Sequence, residues 1–197
     1  MKVLVIGGVA AGSKAAAKIK RQNRSAEVKI LTQSADISYA GCGLPYYVGG
    51  MIESREELIV NTPEKYTGLT GVEVVTRCEV TSVNFQAKTV TALCQGQTWL
   101  ESYDKLVIAT GATPFVPQVE GIRLPGVFTM RTPDDAIALR SYVQDRHCRS
   151  AVVVGAGFIG VEMAENLKKR GLDVTIVEFL DQAVGSLDRE MAAVLHG

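Results

Sequence analysis

Apolar positions along the chain change period several times, and each change marks an element. Val3-Leu4-Val5-Ile6 is an unbroken apolar run that stops at Gly7-Gly8, after which a lysine-bearing helical period runs over about 11–22. A second apolar run at about 27–32 completes a strand, helix, strand order. The opening superficially resembles a signal peptide, but it is short, β-branched and broken by glycine, so we reject that reading. No stretch is long enough to span a bilayer.

Beyond residue 60, Thr62-Pro63-Glu64 predicts a capped, proline-started short helix. Apolar residues then alternate at Val72-Val74, Val80-Val83 and Val90-Leu93, with turns near Asn84–Lys88 and at Gln95-Gly96, which predicts an antiparallel insertion over about 72–101. Tyr103–Ala109 reads as a buried strand ending in Thr110-Gly111-Ala112-Thr113-Pro114. The segment 114–126, rich in proline and glycine, reads as a linker. Val127–Met130 then predicts a strand, and Thr132-Pro133-Asp134-Asp135 starts a helix to about Asp145. A second strand, helix, strand order follows: Ala151–Val154, a helix from about Phe158 to Arg170 closed by Gly171, and Asp173–Val177. Leu187–His196 reads as the start of a helix cut short, so the chain is expected to be a fragment.

The expected fold class is α/β: two Rossmann-like dinucleotide-binding units, the first carrying the small antiparallel insertion and the second truncated. The boundaries drawn are 1–113, the linker 114–126, and 127–197.

Composition changes this picture little. Apolar residues make up 47% of the 197 and the formal net charge is zero, which provides a core and nothing global to steer the chain to nucleic acid or a membrane surface. The cysteines at 42, 78, 94 and 148 form no C-x-x-C pair and no dense framework, so a reducing cytoplasm is the expected setting. Cys78 and Cys94 fall in or beside the insertion strands and are expected to be structural. His147 reads as a surface cation past a helix end, and with His196 at the terminus no triad or metal cluster is expected.

The chemistry-bearing residues lie in three places. The first turn, Gly7-Gly8-Val9-Ala10-Ala11-Gly12, has glycine at the first and third places of a dinucleotide fingerprint and Val9 at the second, while the acid expected about 20 residues on falls near Thr32 and Gln33. The helix after it stacks Lys14, Lys18 and Arg21 on one face, opposite Gly12, Ala15, Ala16 and Ile19, ready for solvent or phosphates. The second turn, Gly155-Ala156-Gly157-Phe158-Ile159-Gly160, is a complete G-x-G-x-x-G. Glu178, 18 residues after Gly160, is placed to accept from a ribose, and with no arginine beside it NADH is favoured over NADPH. Between the two turns, Ser38-Tyr39-Ala40-Gly41-Cys42-Gly43-Leu44-Pro45-Tyr46-Tyr47 sets one cysteine in a glycine-flanked loop ahead of a proline-started helix. Such a position favours a thiolate. A buried structural cysteine is the alternative.

These words together resemble the N-terminal part of the flavin- and pyridine-nucleotide-dependent disulfide reductases, in the single-cysteine branch of coenzyme A-disulfide reductase, NADH oxidases and persulfide or polysulfide reductases. The resemblance covers almost the whole chain. Its most specific parts are Ser38–Tyr47, Ile6–Gly12, Thr110-Gly111 and Gly155–Gly160. It implies FAD on Gly7, Val9, Ala10, Ala11, Gly12, Thr110 and Gly111, and NADH on Gly155, Gly157, Phe158, Ile159, Gly160 and Glu178. NADH would pass hydride to FAD, and FAD would reduce a Cys42 disulfide formed with coenzyme A. The freed thiolate would attack the next small-molecule disulfide or persulfide. It further implies coenzyme A binding by Lys14, Lys18, Arg21 and Ser38, and a homodimer for the full-length protein. Three positions depart from the family pattern: Gly41 replaces an asparagine, Thr70 a phosphate-binding lysine, and Thr32 the acid for the FAD ribose. Two other readings remain: an NADH oxidase or peroxidase using a Cys42 sulfenic acid, and a truncated, non-catalytic dinucleotide-binding module.

Overall fold

The computed structural model describes residues 1–196. In chain order the elements are β1 (Lys2–Ile6), α1 (Ala10–Gln22), β2 (Glu27–Leu31), α2 (Leu44–Gly49), α3 (Arg55–Leu58), α4 (Pro63–Thr70), β3 (Glu73–Val75), β4 (Cys78–Asn84), β5 (Thr89–Cys94), β6 (Gln97–Ser102), β7 (Lys105–Ile108), α5 (Pro133–Asp145), β8 (Ser150–Val154), α6 (Phe158–Lys169), β9 (Asp173–Val177) and α7 (Arg189–His196), with a 3-10 turn at Gly41–Gly43 ahead of α2. Contacts divide the chain into two units. One combines Met1–Tyr39 with Ile59–Ala112; the other combines Ala40–Leu58 with the chain from Thr113 on.

The first unit is built on a parallel sheet in the order β3-β2-β1-β7. Val3 and Val5 pack with Val28, Ile30, Ala16, Tyr66 and Val72 on the side of α1 and α4. Leu4, Ile6 and Leu31 point the other way, onto Cys78, Val90, Ala92, Cys94 and Tyr103 of the antiparallel sheet β4-β5-β6 and the residue after it. Both faces of β1 are therefore covered, which is why it reads as a continuous apolar run rather than an alternating one. Leu4, Val5 and Ile30 are fully buried, each contributing about 2 kcal/mol of apolar transfer. The Tyr66 hydroxyl donates to the Ser13 carbonyl and ties α4 to α1.

Three expectations are corrected in this unit. Val72–Val74 does not open the antiparallel insertion. Glu73–Val75 pairs in parallel with β2, and a Lys29–Glu73 ion pair joins register partners, so the antiparallel sheet begins at Cys78. The strand expected over Tyr103–Ala109 is shorter and lies at the sheet edge, with Ile108 exposed. Cys78 and Cys94, expected to be structural in a reducing setting, are register partners on β4 and β5 and form a disulfide, which that setting did not foresee.

The second unit holds the parallel pair β8-β9 with α6 against it, and α2 packed on α5 and α6. Met163, Ala164 and Leu167 of α6 are buried, whereas Val152 and Val154 on the other face of β8 are 65% and 78% exposed. Helix α5 starts on the expected cap: the Thr132 hydroxyl accepts from the Asp135 amide while the Asp135 carboxylate accepts from the Thr132 amide. Val127–Met130, expected as a strand, joins no ladder. Phe128 instead meets Tyr142 of α5 edge to face at 5.2 Å. No helix among the described residues is long and apolar enough to cross a membrane.

Charge links the two sheets of the first unit. Glu101 of β6 pairs with Lys2 of β1 and with Lys29 of β2, and Lys29 also meets Glu73. Burial pushes the Glu101 carboxyl up, but Lys2 and Lys29 outweigh it and hold the group below its ordinary value. Burial likewise opposes the Lys29 charge, and Glu73 and Glu101 overcome it to raise that ammonium. A carboxyl depressed in the folded state stabilises above its unfolded value, and that stability is lost as pH falls through the folded value. Glu101→Gln should therefore lower stability at neutral pH by about 1–2 kcal/mol and flatten the acid limb below about pH 4.3, read from urea midpoints across a pH series.

Candidate functional site

The first glycine turn is shaped by two close approaches. Gly7 has φ +99° and donates to the Leu31 carbonyl at 2.8 Å, and a Cβ there would overlap the Ala109 carbonyl oxygen. Thr110, expected at this site, thus lies against the turn, with Gly111 following at φ +73°. A Cβ on Gly12 would overlap the Gly7 carbonyl, so the first turn of α1 rides directly on the loop. Val9 precedes α1 as its cap residue, and no side chain caps the helix, whose Ala10 and Ala11 are exposed. First-turn amides in that arrangement suit a diphosphate. The far end of the site differs, because β2 is followed by buried, neutral Thr32, whose backbone bonds to Val75 and Cys78. The turn fits the phosphates of a dinucleotide such as FAD, and position 32 supplies no carboxylate for its ribose.

In the same unit Lys14, Lys18 and Arg21 are exposed along α1, whereas Lys20 turns back to the Ala26 carbonyl at 2.7 Å. Ser38 has φ +49°, and its amide donates to the Gly8 carbonyl at 3.0 Å, pinning the chain four residues ahead of Cys42 to the first turn. Its hydroxyl accepts from the Asn61 amide at 3.3 Å. Asn61 was not anticipated, its one sequence signal being its place directly before the Thr62-Pro63 cap.

Cys42 belongs to the second unit, where it is a free and exposed thiol in the 3-10 turn that runs straight into α2. Gly43 donates to Ala40 at 2.9 Å and Ala40 to Leu58 at 2.7 Å, and a Cβ on Gly43 would stand 3.0 Å from Ile52. The helix behind the thiol is held at its far end. Arg140 of α5 donates to the carbonyls of Tyr47, Ile52 and Glu53 at 3.1–3.2 Å and lies 4.5 Å over the Tyr47 ring. Gly49 sits flush on buried Asn166 of α6, where a Cβ would overlap the Asn166 side-chain oxygen. Contacts group the Cys42 segment with α5 and α6, whereas the sequence reading placed it inside 1–113.

The second glycine turn repeats the first. Gly155 has φ +99° and donates to Val177 at 2.8 Å, and a Cβ on Gly160 would overlap the Gly155 carbonyl. Open space lies beside Gly155 and Gly157, Phe158 and Ile159 are exposed, and no side chain caps α6. Glu178 does more than was anticipated. One carboxylate oxygen accepts from Ala156 at 2.5 Å and the other from Phe179 and Leu180 at 2.8 and 2.9 Å. Those amides of Leu180, Ala156 and Phe179 hold its carboxyl below the ordinary range. A carboxylate offers about four acceptor sites, so capacity remains for a ribose hydroxyl. The Val184 amide completes the clamp by donating to the Ala156 carbonyl at 2.7 Å.

Of the remaining candidates, His147 is exposed beyond α5 and the Cys148 sulfur lies 3.9 Å from the Tyr142 carbonyl. The His196 side chain lies outside the described residues. Among those residues no group of three or more His, Cys, Asp or Glu is placed to hold a metal ion.

Known proteins share this arrangement. The family model for the pyridine nucleotide-disulphide oxidoreductases matches residues 1–197. An NADH oxidase of Methanocaldococcus jannaschii is 39% identical over 200 residues, covering 100% of this chain and 44% of that protein. A coenzyme A disulfide reductase of Staphylococcus haemolyticus is 33% identical over 196 residues, covering 98% of this chain and 44% of that protein. The solved NAD-dependent persulfide reductase from A. fulgidus superposes with a TM-score of 0.94 at 38% identity, covering 100% of this chain and 37% of that one. The chain thus spans less than half the length of the curated relatives it matches.

Arg140→Ala removes the guanidinium that bridges the carbonyls of Tyr47 in α2 and of Ile52 and Glu53 just beyond it. Hydrogen exchange of amides 44–53 should quicken by at least about tenfold, with a stability loss of about 2 kcal/mol, read by exchange mass spectrometry and urea unfolding.

Proposed function

The chain belongs to the pyridine nucleotide-disulphide oxidoreductases, and on that premise we propose that it passes electrons from NADH, through FAD, to Cys42, which reduces a small disulfide, persulfide or polysulfide such as coenzyme A disulfide. The observation that carries this reading is Cys42 itself, an exposed free thiol in a glycine-flanked turn at the head of a helix clamped by Arg140 and Asn166. The first unit takes FAD at Gly7, Val9, Ala10, Ala11 and Gly12 with Thr110 and Gly111. The second takes NADH at Gly155, Gly157, Phe158, Ile159 and Gly160, with Glu178 toward the ribose. Bound FAD supplies the two-electron relay between nicotinamide and thiol. The Cys42 thiolate attacks one sulfur of the acceptor disulfide, forms a mixed disulfide and releases the other half as a thiolate. The phosphorylated carrier is met by Lys14, Lys18 and Arg21 with Ser38, and the longer protein works as a homodimer.

A second reading is favoured by Gly41 and Thr70. Neither residue offers the side chain expected for coenzyme A, and the Thr70 hydroxyl is already spent on the Tyr66 carbonyl at 2.7 Å. In that reading Cys42 cycles through a sulfenic acid, with peroxide or oxygen as the oxidant.

Cys42→Ser, made in the longer flavoprotein, should cut disulfide and persulfide turnover by at least about three orders of magnitude. Flavin reduction by NADH should persist in anaerobic stopped flow, and normal turnover by the variant would refute the assignment. Lys14→Glu with Lys18→Glu should raise KM for coenzyme A disulfide about tenfold while leaving inorganic polysulfide unaffected; steady-state rates with both acceptors decide it, and equal losses would mark the face as merely solvated.

A further inference from the structure

We propose that Cys78 and Cys94 form a second thiol–disulfide couple, independent of Cys42, which small thiols and disulfides reach through a cleft beside Trp99. The two cysteines are register partners on β4 and β5 with Cα atoms 3.9 Å apart, sixteen residues apart in sequence, and bonded to each other. Both are buried in the core between the two sheets of the first unit, whereas Cys42 lies in the other unit.

A core sealed on every side would make this pair a permanent staple, but Cys94 borders a surface cleft. A cleft of about 150 Å³ is lined by Cys94, Val75, Gln95, Gln97 and Trp99. A second, of about 330 Å³, lies on Gln95 and Gly96 with Gln33, Arg77, Glu79 and Leu93. Gln95, in the turn that follows Cys94, lines both clefts, and Cys94, 3% exposed, borders the first of them. Arg77, just before Cys78, and Gln95, just after Cys94, both take left-handed φ, +50° and +51°, and the Gln95 amide donates to the Arg77 carbonyl at 3.2 Å. At Gln95 this is the geometry of the two-residue β5–β6 hairpin, whose central residues Gln95 and Gly96 both take positive φ. The Tyr103 hydroxyl, buried and without a hydrogen-bond partner among the described residues, gives the same cluster an uncommitted donor.

The chemistry closes without a cofactor. A thiolate RS⁻ attacks the Cys94 sulfur, forming R–S–S–Cys94 and releasing Cys78 as a thiolate that takes up a proton. A second RS⁻ attacks the R-bearing sulfur of that mixed disulfide, giving R–S–S–R and Cys94 as a thiolate, which is also protonated. Two electrons pass from the small thiols to the cysteine pair, and in reverse a small disulfide oxidises the dithiol and leaves as two thiols. The readout is mechanical. The bond cross-links β4 to β5 at the end of the antiparallel sheet where the Cys78 amide donates to the Thr32 carbonyl at 3.0 Å and the Arg77 amide to the Ser34 carbonyl at 3.2 Å, so opening it loosens the strand end that meets the segment leaving β2.

Trp99 is the only tryptophan in the chain and shares the cleft with Cys94, so its emission should follow the couple. The intact chain is equilibrated under native conditions in graded mixtures of reduced and oxidised 2-mercaptoethanol, then alkylated in denaturant and weighed. Four cysteines with two of them paired predict, by mass, two cysteines joined to each other and two alkylated or capped by 2-mercaptoethanol at the oxidising end, and four alkylated thiols at the reducing end. The change should be reversible, with Trp99 emission shifting over the same mixtures in wild type and in the Cys42→Ser, Cys148→Ser background. That shift should vanish in Cys78→Ser with Cys94→Ser. Four alkylated or capped cysteines in every mixture would show that no couple forms, and a Cys78–Cys94 bond that persists in every native mixture and opens only when the reductant is added in denaturant would show a sealed staple; either result overturns the proposal. If a variant fails to fold, the wild-type titration alone decides.

Discussion

Both halves of this chain depend on one close approach, in which a helix is seated on the loop that feeds it with no side chain between them. At Gly12 over the Gly7 carbonyl, and again at Gly160 over the Gly155 carbonyl, a methyl group would occupy the space of an oxygen atom. The same two turns each anchor their first glycine on the end of the next parallel strand, Leu31 in one and Val177 in the other, at an identical 2.8 Å. Strand, turn and helix are thereby set at a fixed angle, which aims the first-turn amides outward. The middle position is under no such constraint. Val9 replaces the second glycine in the first turn and α1 still begins on schedule at Ala10.

Much of this was legible because it is local. The β1, α1, β2 and β8, α6, β9 orders, the Thr62 and Thr132 caps and the glycine turns are written in residues a few positions apart. What escaped depends on partners far away in sequence. Val72–Val74 alternates like a hairpin strand, yet which strand it pairs with is decided by Lys29 and Ile30 of β2. Val127–Met130 has the composition of a strand but finds a ring, Tyr142, instead of a ladder. The grouping of the Cys42 helix was hidden for the same reason: it rests on the bare face of Gly49 against Asn166 and on Arg140, about ninety residues away from Tyr47. No periodicity announces such a pair, and neither does spacing announce that Cys78 and Cys94 stand opposite one another.

Glu178 shows why a motif residue can be right in place and incomplete in role. Its spacing from the glycines identifies it as a ribose acceptor, but the folded chain first employs it to close its own turn through three amides. The negative charge is held in an orientation fixed before any nucleotide arrives. With Val184 fastening the other side of the Ala156 peptide, the loop needs little reorganisation to receive a ligand, and less ordering entropy is lost on binding.

The uneven coating of the two parallel sheets has a colloidal consequence. In the first, helices cover one side of β1 and the antiparallel sheet the other. In the second, Val152 and Val154 present a bare valine stripe on a sheet of two strands, and at zero formal net charge no long-range repulsion keeps such stripes apart. Handled by itself at high concentration near neutral pH, this chain should self-associate through β8, more readily as salting-out ions are added.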